Sequence, residues 1–426
     1  MRTNKIIEAI HEGRLDERLT KIYADPYIIP YEKKRYEQAL YQYNATFGAD
    51  EVEIFSAPGR SEIGGNHTDH QHGEVLAASI NRDAIAIVKK LNRPRVTILS
   101  DGYTSEIKVD IDDLDKRKSE EGTTAALIRG VLAKIQINGY SIGGFQAYIT
   151  SDVLIGAGLS SSAAFETLIG TIVSYLYNNN EISAVEIAKI GQYAENVYFG
   201  KPCGLMDQMA CSVGSLVHIN FADVKRPKIE QVQLDLDAHG YSLCITDTKG
   251  SHADLTPDYA AIPQEMKQVA EFFGKEVLGQ VSKQDILRDI PQIREKAGDR
   301  AILRAIHFMN ENERVQQEAE ALKQDHFSEF LELVKESGNS SYKYLQNVYT
   351  SRYIRHQNLS VALAVSDMVL GKQGASRVHG GGFAGTIQAF VPENMVEDYR
   401  EAMEDIFGEG TCQVLKIRKY GGVKVL

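Results

Sequence analysis

The sequence contains no tryptophan and only four cysteines among its 426 residues, Cys203, Cys211, Cys244 and Cys412. These cysteines are too sparse for a disulfide framework, and their spacing does not resemble the closely paired cysteines of a metal site. We therefore expect reduced thiols with mainly structural roles.

A long hydrophobic run is also missing, because no segment approaches the roughly 18 apolar residues that a membrane span requires. The opening residues Met1-Arg2-Thr3-Asn4-Lys5 continue into charged, amphipathic sequence that does not resemble a signal peptide. These absences predict a cytoplasmic protein without a membrane partner.

The chain has no surplus of positive charge. It carries 58 acidic and 47 basic residues, which gives a formal net charge of −11. This balance argues against nucleic acid as a main partner, so a phosphorylated ligand would have to be held by a local site. With 426 residues and 43% hydrophobic content, the chain is long enough to bury sizeable cores. We expect an enzyme-sized protein of two domains.

The predicted secondary structure changes along the chain. Apolar residues near helical spacing predict a helical extension over residues 1–50, and short alternating runs from Val52 onward predict strands. A second region opens with a strand at 243–247 and continues with charged helices, among which the charges from Glu313 to Glu336 are expected on the surface. The predicted organisation is an extension (1–50), an N-terminal domain (51–224) and a C-terminal domain (225–426).

A glycine and serine segment follows the strand predicted at 145–149 and precedes an apolar pattern of helical spacing. It consists of Gly156, Ala157, Gly158, Leu159, Ser160, Ser161 and Ser162. The free N–H groups at the start of a helix carry partial positive charge, so strand, glycine loop and helix together suit a phosphate group. An ordinary turn with a good N-cap is the alternative, and the segment is not a Walker A loop because no Gly-Lys-Ser/Thr closes it.

A second polar segment, residues 59–73, combines glycines with histidines and acids. Its His67, Asp69, His70 and His72 offer imidazole and carboxylate groups at short spacing, so a metal hydrolase is one interpretation. No second cluster of ligands follows downstream. A loop that binds the hydroxyls of a polyol is another interpretation, and a solvated loop is the third.

Two carboxylates stand out beyond the serine segment. Glu195 shares one face of a predicted helix with Ala188 and Gly191, where it would reach either a metal ion or a surface lysine. Asp207 lies among apolar residues, where an unpaired carboxylate is costly. A nearby arginine would keep Asp207 ionised and able to accept a proton, whereas a helix cap is the simpler role.

Three motifs in this order resemble those of the GHMP small-molecule kinases and, within them, the galactokinases. They are Gly59-Arg60 through Asp69, residues 156–164, and Gly380-Gly381-Gly382-Phe383-Ala384-Gly385. The resemblance covers about residues 52 to 391. It implies an α+β, two-domain GHMP kinase fold with mixed and antiparallel sheets flanked by helices and an active site in the cleft between the domains.

The resemblance also implies roles for individual residues. Asp207 would take the proton of the anomeric hydroxyl of a sugar, and Arg60 would lie beside it and the transferring phosphoryl group. Ser162 and Glu195 match magnesium ligands, and residues 156–162 match the loop that binds ATP. The sugar contacts implied are Asn66, His67, Asp69, Gly204, Asp207 and Tyr259. The expected ligands are ATP, Mg²⁺ and a small sugar, bound by a monomer or weak homo-oligomer.

One position departs from the family, because Asn66 stands where galactokinases carry glutamate. An amide can bond a C6 hydroxyl and would also tolerate a C6 carboxylate, which a glutamate would repel. The expected activity is phosphorylation of galactose to galactose 1-phosphate. The alternatives are a kinase of galacturonate or another galactose-like sugar, and a non-catalytic, galactokinase-like sugar sensor.

Overall fold

The computed structural model describes residues 1–153, 158–251 and 254–426. Two π-helical turns, Ala194–Phe199 and Ser341–Leu345, directly follow the sixth and twelfth helices of this part of the chain. In chain order, the α-helices are α1 (Thr3–His11), α2 (Asp16–Tyr23), α3 (Ile29–Phe47), α4 (Thr124–Ile137), α5 (Ser161–Asn178), α6 (Ala184–Tyr193), α7 (Met206–Val213), α8 (Thr256–Phe272), α9 (Lys283–Arg288), α10 (Ile290–Ala297), α11 (Asp299–Lys323), α12 (Phe327–Ser340), α13 (Asn358–Leu370) and α14 (Val396–Phe407).

The strands form two sheets. In chain order they are β1 (Glu53–Gly64), β2 (Glu74–Lys90), β3 (Arg95–Ser100), β4 (Ile107–Asp110), β5 (Phe145–Ser151), β6 (Leu216–Asn220), β7 (Lys228–Val232), β8 (Tyr241–Asp247), β9 (Ala375–His379), β10 (Thr386–Pro392), β11 (Cys412–Leu415) and β12 (Val423–Lys424). The first sheet has the order β12-β1-β2-β5-β3-β4, with β6 paired to β2 and β7 to β6, and the second has the order β11-β8-β10-β9. β3 and β5 pair in parallel, and the other pairs are antiparallel.

Helices cover both faces of the first sheet. On one face, α4, α5 and α6 bury an apolar cluster against β1, β2, β3 and β5. On the other face, α1, α2 and α3 pack through Ile6, Leu19, Tyr36 and their neighbours against Ile54 and Ile87. In α3, Tyr36, Leu40 and Tyr43 lie at i, i+4 and i+7 and are fully buried, so the helices of the first fifty residues pack onto the first sheet.

A continuous core joins the two sheets. It runs from Ile63 and Leu76 of the first sheet through Val315 of α11 and Phe330 of α12 to Phe390 of the second sheet. Strands are present in the region from residue 52 onward, and the strands expected at 145–149 and 243–247 are present as well. The α+β class, with mixed and antiparallel sheets flanked by helices, is therefore confirmed.

The sheets divide the chain differently from the predicted segments. β7 lies beyond residue 224 and β12 lies near the C-terminus, yet both belong to the first sheet. β12 pairs with β1 through Phe55 and Ser56, so the last residues return to the N-terminal half. The division at residue 225 remains a prediction. The first sheet includes two strands, β7 and β12, from beyond that residue.

Two further expectations concern charges and membranes. The prediction of a solvated run from Glu313 to Glu336 is wrong at Arg314 and Glu318, which are buried because α11 turns this face toward the first sheet. Within the described ranges, no helix is both long and apolar enough to cross a membrane.

Candidate active site

The first glycine of the polar segment brings β1 against the serine segment. A Cβ atom on Gly59 would lie 2.7 Å from the carbonyl oxygen of Leu159, so only glycine allows this approach. The pairing of β1 with β2 shifts register between Pro58 and Arg60. The Arg60 amide then donates to the Leu159 carbonyl at 3.1 Å, which places the Arg60 side chain beside the start of α5.

Arg60 and Asp207 form an ion pair through one carboxylate oxygen. Both Nε and Nη2 of Arg60 lie 2.7 Å from Oδ1 of Asp207. The Ser160 hydroxyl donates to Oδ2 of the same carboxylate, and Nη1 of Arg60 donates to the carbonyl of Gly158. The structure thus unites residues from β1, the serine segment and α7, and Asp207 remains 33% exposed toward the cleft.

The surroundings of Asp207 keep it ionised. Burial by itself raises the pKa of a carboxyl, but the charge and hydrogen bonds of Arg60, together with the Ser160 hydroxyl, outweigh this effect. The pKa of Asp207 therefore lies below its ordinary value, and the side chain presents an anionic acceptor at neutral pH.

A second carboxylate, Asp69, lies close to Asp207. A Cβ atom on Gly204 would lie 1.9 Å from Oδ2 of Asp69, so the glycine before α7 leaves the space that Asp69 occupies. Burial first, and then the charge of Asp207, raise the pKa of Asp69 above its ordinary value. The two carboxyls interact electrostatically, and their pKa values shift in opposite directions.

The start of α5 has the conformation that the serine segment predicts. Gly158 and Ser160 both have left-handed backbone angles, with φ of 69° and 59°, and α5 begins at Ser161. Ser160 does not cap the helix with its side chain, because its hydroxyl binds Asp207 instead. Gly156 and Ala157, which were also predicted to bind ATP, lie outside the described residues.

Ser162 and Glu195 meet beneath this loop. The Ser162 hydroxyl donates to Oε1 of Glu195 at 3.1 Å, and Lys201 donates to the same oxygen at 3.3 Å. The amide of Gln208 donates to Glu195 at 2.8 Å and to Glu166 at 3.1 Å. A hydroxyl and a carboxylate are oxygen ligands of the kind that Mg²⁺ prefers, so the predicted pair fits this ion.

The side chain of Asn66 is directed into the protein. Its amide group donates to Oε1 of Glu62 at 2.9 Å and to the carbonyl of Gly380 at 2.7 Å. Its carbonyl oxygen accepts from Asn347 at 2.8 Å and from Ser341 at 3.3 Å. Since these bonds use both donors and both lone pairs, the predicted sugar contact of Asn66 finds no free group in this arrangement.

The histidines of the same loop bond to each other. Nε2 of His67 lies 3.0 Å from the carbonyl of Gly381, and Nδ1 of His67 lies 3.2 Å from Nε2 of His70. Because a carbonyl only accepts, Nε2 of His67 donates and His67 Nδ1 accepts from His70. Burial lowers the pKa of His67 to about 3 and that of His70 to about 4, so both rings are neutral. The described residues hold no group of three or more His, Cys, Asp or Glu side chains suited to a metal ion.

The third glycine motif closes the site from the C-terminal half. The Tyr259 hydroxyl donates to the carbonyl of Gly382 at 2.7 Å, and its ring meets Phe383 edge-on with centroids 5.3 Å apart. A Cβ atom on Gly381 would lie 2.9 Å from the Tyr259 ring, and one on Gly158 would lie 3.2 Å from Nδ1 of His379. The glycines thus let the motif touch both the predicted sugar contact Tyr259 and the serine segment.

Several contributors were missed from the sequence. Lys201 approaches Glu195, Asn347 binds Asn66, and both His307 and Glu311 of α11 contact the backbone of the polar segment. The helical spacing of His307 and Glu311 is the signal available in the sequence, and it does not show which way their face is turned.

Comparisons with known proteins agree with this geometry. Residues 126–215 match the GHMP kinases N terminal domain, and residues 41–90 match the galactokinase galactose-binding signature. A galactokinase of Actinobacillus pleuropneumoniae serotype 5b is 29% identical over 386 residues, which cover 89% of this chain and 95% of the relative. A galactokinase of Glaesserella parasuis serovar 5 is 30% identical over 378 residues, which cover 87% of this chain and 93% of the relative.

The fold comparison points the same way. The crystal structure of Lactococcus lactis galactokinase complexed with galactose superposes with a TM-score of 0.76 at 24% identity and covers 90% of this chain and 98% of the other. At this identity the match establishes the fold, and the sequence relatives establish the family. The chain therefore belongs to the galactokinases, a family of sugar kinases within the GHMP kinases.

Proposed function

We propose that the protein transfers the γ-phosphoryl group of ATP to the anomeric hydroxyl of galactose, giving galactose 1-phosphate and ADP. The observation that carries this proposal is the Asp207 carboxylate, held ionised by Arg60 and Ser160 at the start of α5. It is a proton acceptor beside a helix N-terminus suited to phosphate, which is the combination that phosphoryl transfer to a hydroxyl requires.

In the proposed reaction, Asp207 accepts the proton of the anomeric hydroxyl as that oxygen forms its bond to the γ-phosphorus. The bond from the γ-phosphorus to the oxygen bridging the β-phosphate breaks, and ADP leaves. The lowered pKa makes Asp207 a weak base, so its contribution is chiefly to orient the hydroxyl and take the proton late in the transfer. Arg60 offsets the negative charge that accumulates between carboxylate and phosphate.

ATP binding is assigned to the segment before α5 and to its first turn. Gly158, Ser160, Ser161 and Ser162 would receive the phosphates, and Ser162 with Glu195 would hold Mg²⁺. When bound, the ion supplies positive charge to the phosphate oxygens. Glu195 is only 3% exposed and is oriented by Gln208, so this carboxylate is fixed before any ligand arrives.

The charges around the polar segment favour galactose over galacturonate. The arginines at the polar segment and beneath it are paired: Arg60 with Asp207, Arg377 with Glu62, and Arg314 with Glu311. A C6 carboxylate would enter a pocket that already holds Asp69 and Asp207 and would find no free guanidinium there. A neutral sugar adds no charge there and so meets no electrostatic repulsion from the two carboxyls.

The replacement Asp207→Asn tests the assignment of the proton acceptor. The amide keeps the size of the side chain but cannot take a proton, so we expect kcat with galactose to fall by at least about 100-fold. The affinity for ATP, measured by titration calorimetry, should stay near that of the parent. Asp235→Asn, at an exposed aspartate remote from the site, is the matched control. Undiminished turnover by Asp207→Asn would exclude Asp207 as the acceptor.

A further inference from the structure

Helix α11 (Asp299–Lys323) carries a buried polar stripe. His307, Glu311, Arg314 and Glu318 follow one another at steps of four, three and four residues and therefore share one helix face. All four are buried, and His307, Glu311 and Glu318 have no exposed surface. Buried charges are costly unless they make specific bonds, so the stripe needs a structural or functional partner.

That partner is the backbone of the polar segment that carries the predicted sugar contacts. Oε1 of Glu311 accepts from the amide of Gly65 at 3.2 Å and from the amide of Asn66 at 3.4 Å. Nε2 of His307 lies 2.9 Å from the carbonyl of Asn66. Because this carbonyl only accepts, Nε2 of His307 donates, and Nδ1 accepts from the Ser340 hydroxyl at 2.9 Å.

The bonds of Glu311 hold it as an anion. The Ser337 hydroxyl donates to Oε1 at 2.5 Å, and Arg314 donates to Oε2. Burial alone would raise the pKa of Glu311, but the charges of Arg314 and Arg377 and the Ser337 hydroxyl outweigh burial and lower the pKa. Hydrogen bonds to an ionised acceptor are stronger than those between neutral groups, so the two loop amides are held firmly.

The loop needs such support because of its backbone. Gly65 and His67 both have left-handed conformations, with φ of 89° and 59°. The left-handed conformation is unfavourable for a histidine, and it persists only where the surrounding structure enforces it. His67 and Asp69 follow directly, so a shift of the Gly65-Asn66 peptide would move both side chains.

We infer that His307 and Glu311 are positioning residues that fix the sugar-binding loop from the C-terminal half, so that α11 sets the affinity for the sugar without touching it. This inference rests on the proposed function, because it takes His67 and Asp69 as sugar contacts. Asp207 and the start of α5 are held by other bonds, those of Arg60 and Ser160. Removing the bonds that His307 and Glu311 make to the loop should therefore weaken sugar binding and leave the phosphoryl-transfer groups in place.

Steady-state kinetics with galactose and ATP provide the first test. For Glu311→Gln and His307→Leu we expect the KM for galactose to rise about tenfold, which corresponds to the loss of one strong hydrogen bond. The kcat and the KM for ATP should stay within about twofold of the parent, as for a change that weakens binding of the ground state and of the transition state equally. His307→Gln, whose amide can donate in place of Nε2, should restore most of the affinity.

Glu318→Gln is the matched control, because Glu318 lies on the same face of α11, is equally buried and makes no hydrogen bond through its carboxylate oxygens in the described structure. It should leave the KM for galactose unchanged. A parental KM for galactose in Glu311→Gln and His307→Leu would overturn the inference. It would also be overturned if all three variants, Glu318→Gln included, showed the same fall in kcat and the same rise in both KM values.

Amide hydrogen exchange of the sugar-free protein separates this inference from the proposed function. In the parent, the amides of Gly65 and Asn66 should be protected, and Glu311→Gln should lose protection there while the peptides of α5 and α7 keep theirs. Equal protection of these two amides in parent and variant would overturn the inference that Glu311 holds the loop. Because no sugar is present, this result does not depend on which sugar the enzyme phosphorylates.

Discussion

Asn66 occupies the position at which galactokinases carry glutamate, and its amide bonds entirely within the protein. It joins Glu62 of β1 to the Gly380 carbonyl of the third glycine motif and accepts from Asn347. A carboxylate here would lose both donors and would face the carboxylate of Glu62. The residue therefore acts in this structure as a connector between the two halves.

The replacement Asn66→Glu tests that role. We expect it to lower the free energy of unfolding by about 2 kcal/mol or more, because it buries an unpaired charge beside another carboxylate and removes two hydrogen bonds. The affinity for galactose should fall as well, since the loop would be displaced. Urea denaturation and galactose kinetics measure both quantities. A stable variant that binds galactose more tightly would show that residue 66 contacts the sugar directly.

His70 offers a second test at this scale, based on its lowered pKa. In the unfolded chain an imidazole takes up a proton below its ordinary pKa of about 6.5, whereas His70 in the folded protein stays neutral down to about 4. The unfolded state thus binds more protons in this window, and the contribution of His70 to stability is lost as the pH falls.

Urea denaturation of the parent and of His70→Gln at several pH values measures this effect. At neutral pH the variant should be the less stable of the two, because it loses the bond to His67. As the pH falls below about 6.5, the difference should shrink, since the variant has no imidazole to protonate. A difference that stays constant with pH would contradict the neutral, buried state of His70.

At the scale of elements, α11 shows that a sequence pattern does not determine which face of a helix is buried. The charges from Glu313 onward predict a solvated face, and Glu313, Glu320 and Lys323 of α11 are exposed. The stripe of His307, Glu311, Arg314 and Glu318 is also polar but lies beneath the loop that is proposed to bind the sugar. Helical spacing can show that these residues share a face, but only the packing of α11 against β1 and β2 decides that this face is buried.

The elements with local signals were predicted well. The strands at 145–149 and 243–247 form as expected, and the serine segment starts α5. Such features depend on neighbours in the sequence. The pairing of Arg60 with Asp207 spans 147 residues, so its geometry followed only from the family resemblance and from the structure.

The helical extension is joined to the body by buried charges. Arg35 of α3 donates to Oδ1 of Asp83 at 2.7 Å, and Arg418 from the C-terminal end lies 2.9 Å from Oδ2 of the same carboxylate. Arg35 is 6% exposed and Asp83 is fully buried. One aspartate of β2 thus ties both ends of the chain to the first sheet.

We expect Arg35→Met to destabilise the protein by about 3 kcal/mol, because it leaves Asp83 and Glu32 buried with less compensating charge. Urea denaturation at neutral pH measures the change. Arg95→Met is the matched control, since Arg95 pairs with Asp110 where the side chains are 44% and 55% exposed. The control should cost less than about 1 kcal/mol. Equal effects of the two replacements would mean that the extension is only loosely attached.

At the scale of the whole molecule, the proposed active site draws on both halves of the chain. The first sheet and its helices contribute Arg60, Asp69 and Asp207, and the second half contributes Tyr259 and the third glycine motif. Arg377 of β9 donates to the carbonyl of Ile63 at 2.6 Å and to Glu62 at 2.8 Å, which fixes the second sheet against β1. The family resemblance predicted a site between two domains, whereas these buried contacts between the halves could be read only from the structure.

The central claim is that the protein is a galactose 1-kinase, and an ADP-release assay with Mg-ATP tests it most directly. Galactose, galacturonate, glucose, arabinose and N-acetylgalactosamine serve as acceptors, and phosphorus NMR identifies the product. We expect the highest kcat/KM with galactose, a product phosphorylated at the anomeric oxygen, and little turnover of galacturonate because the pocket is anionic. Preferred turnover of galacturonate would contradict the charge argument, and the absence of turnover on every sugar would contradict the assignment as a kinase of these sugars.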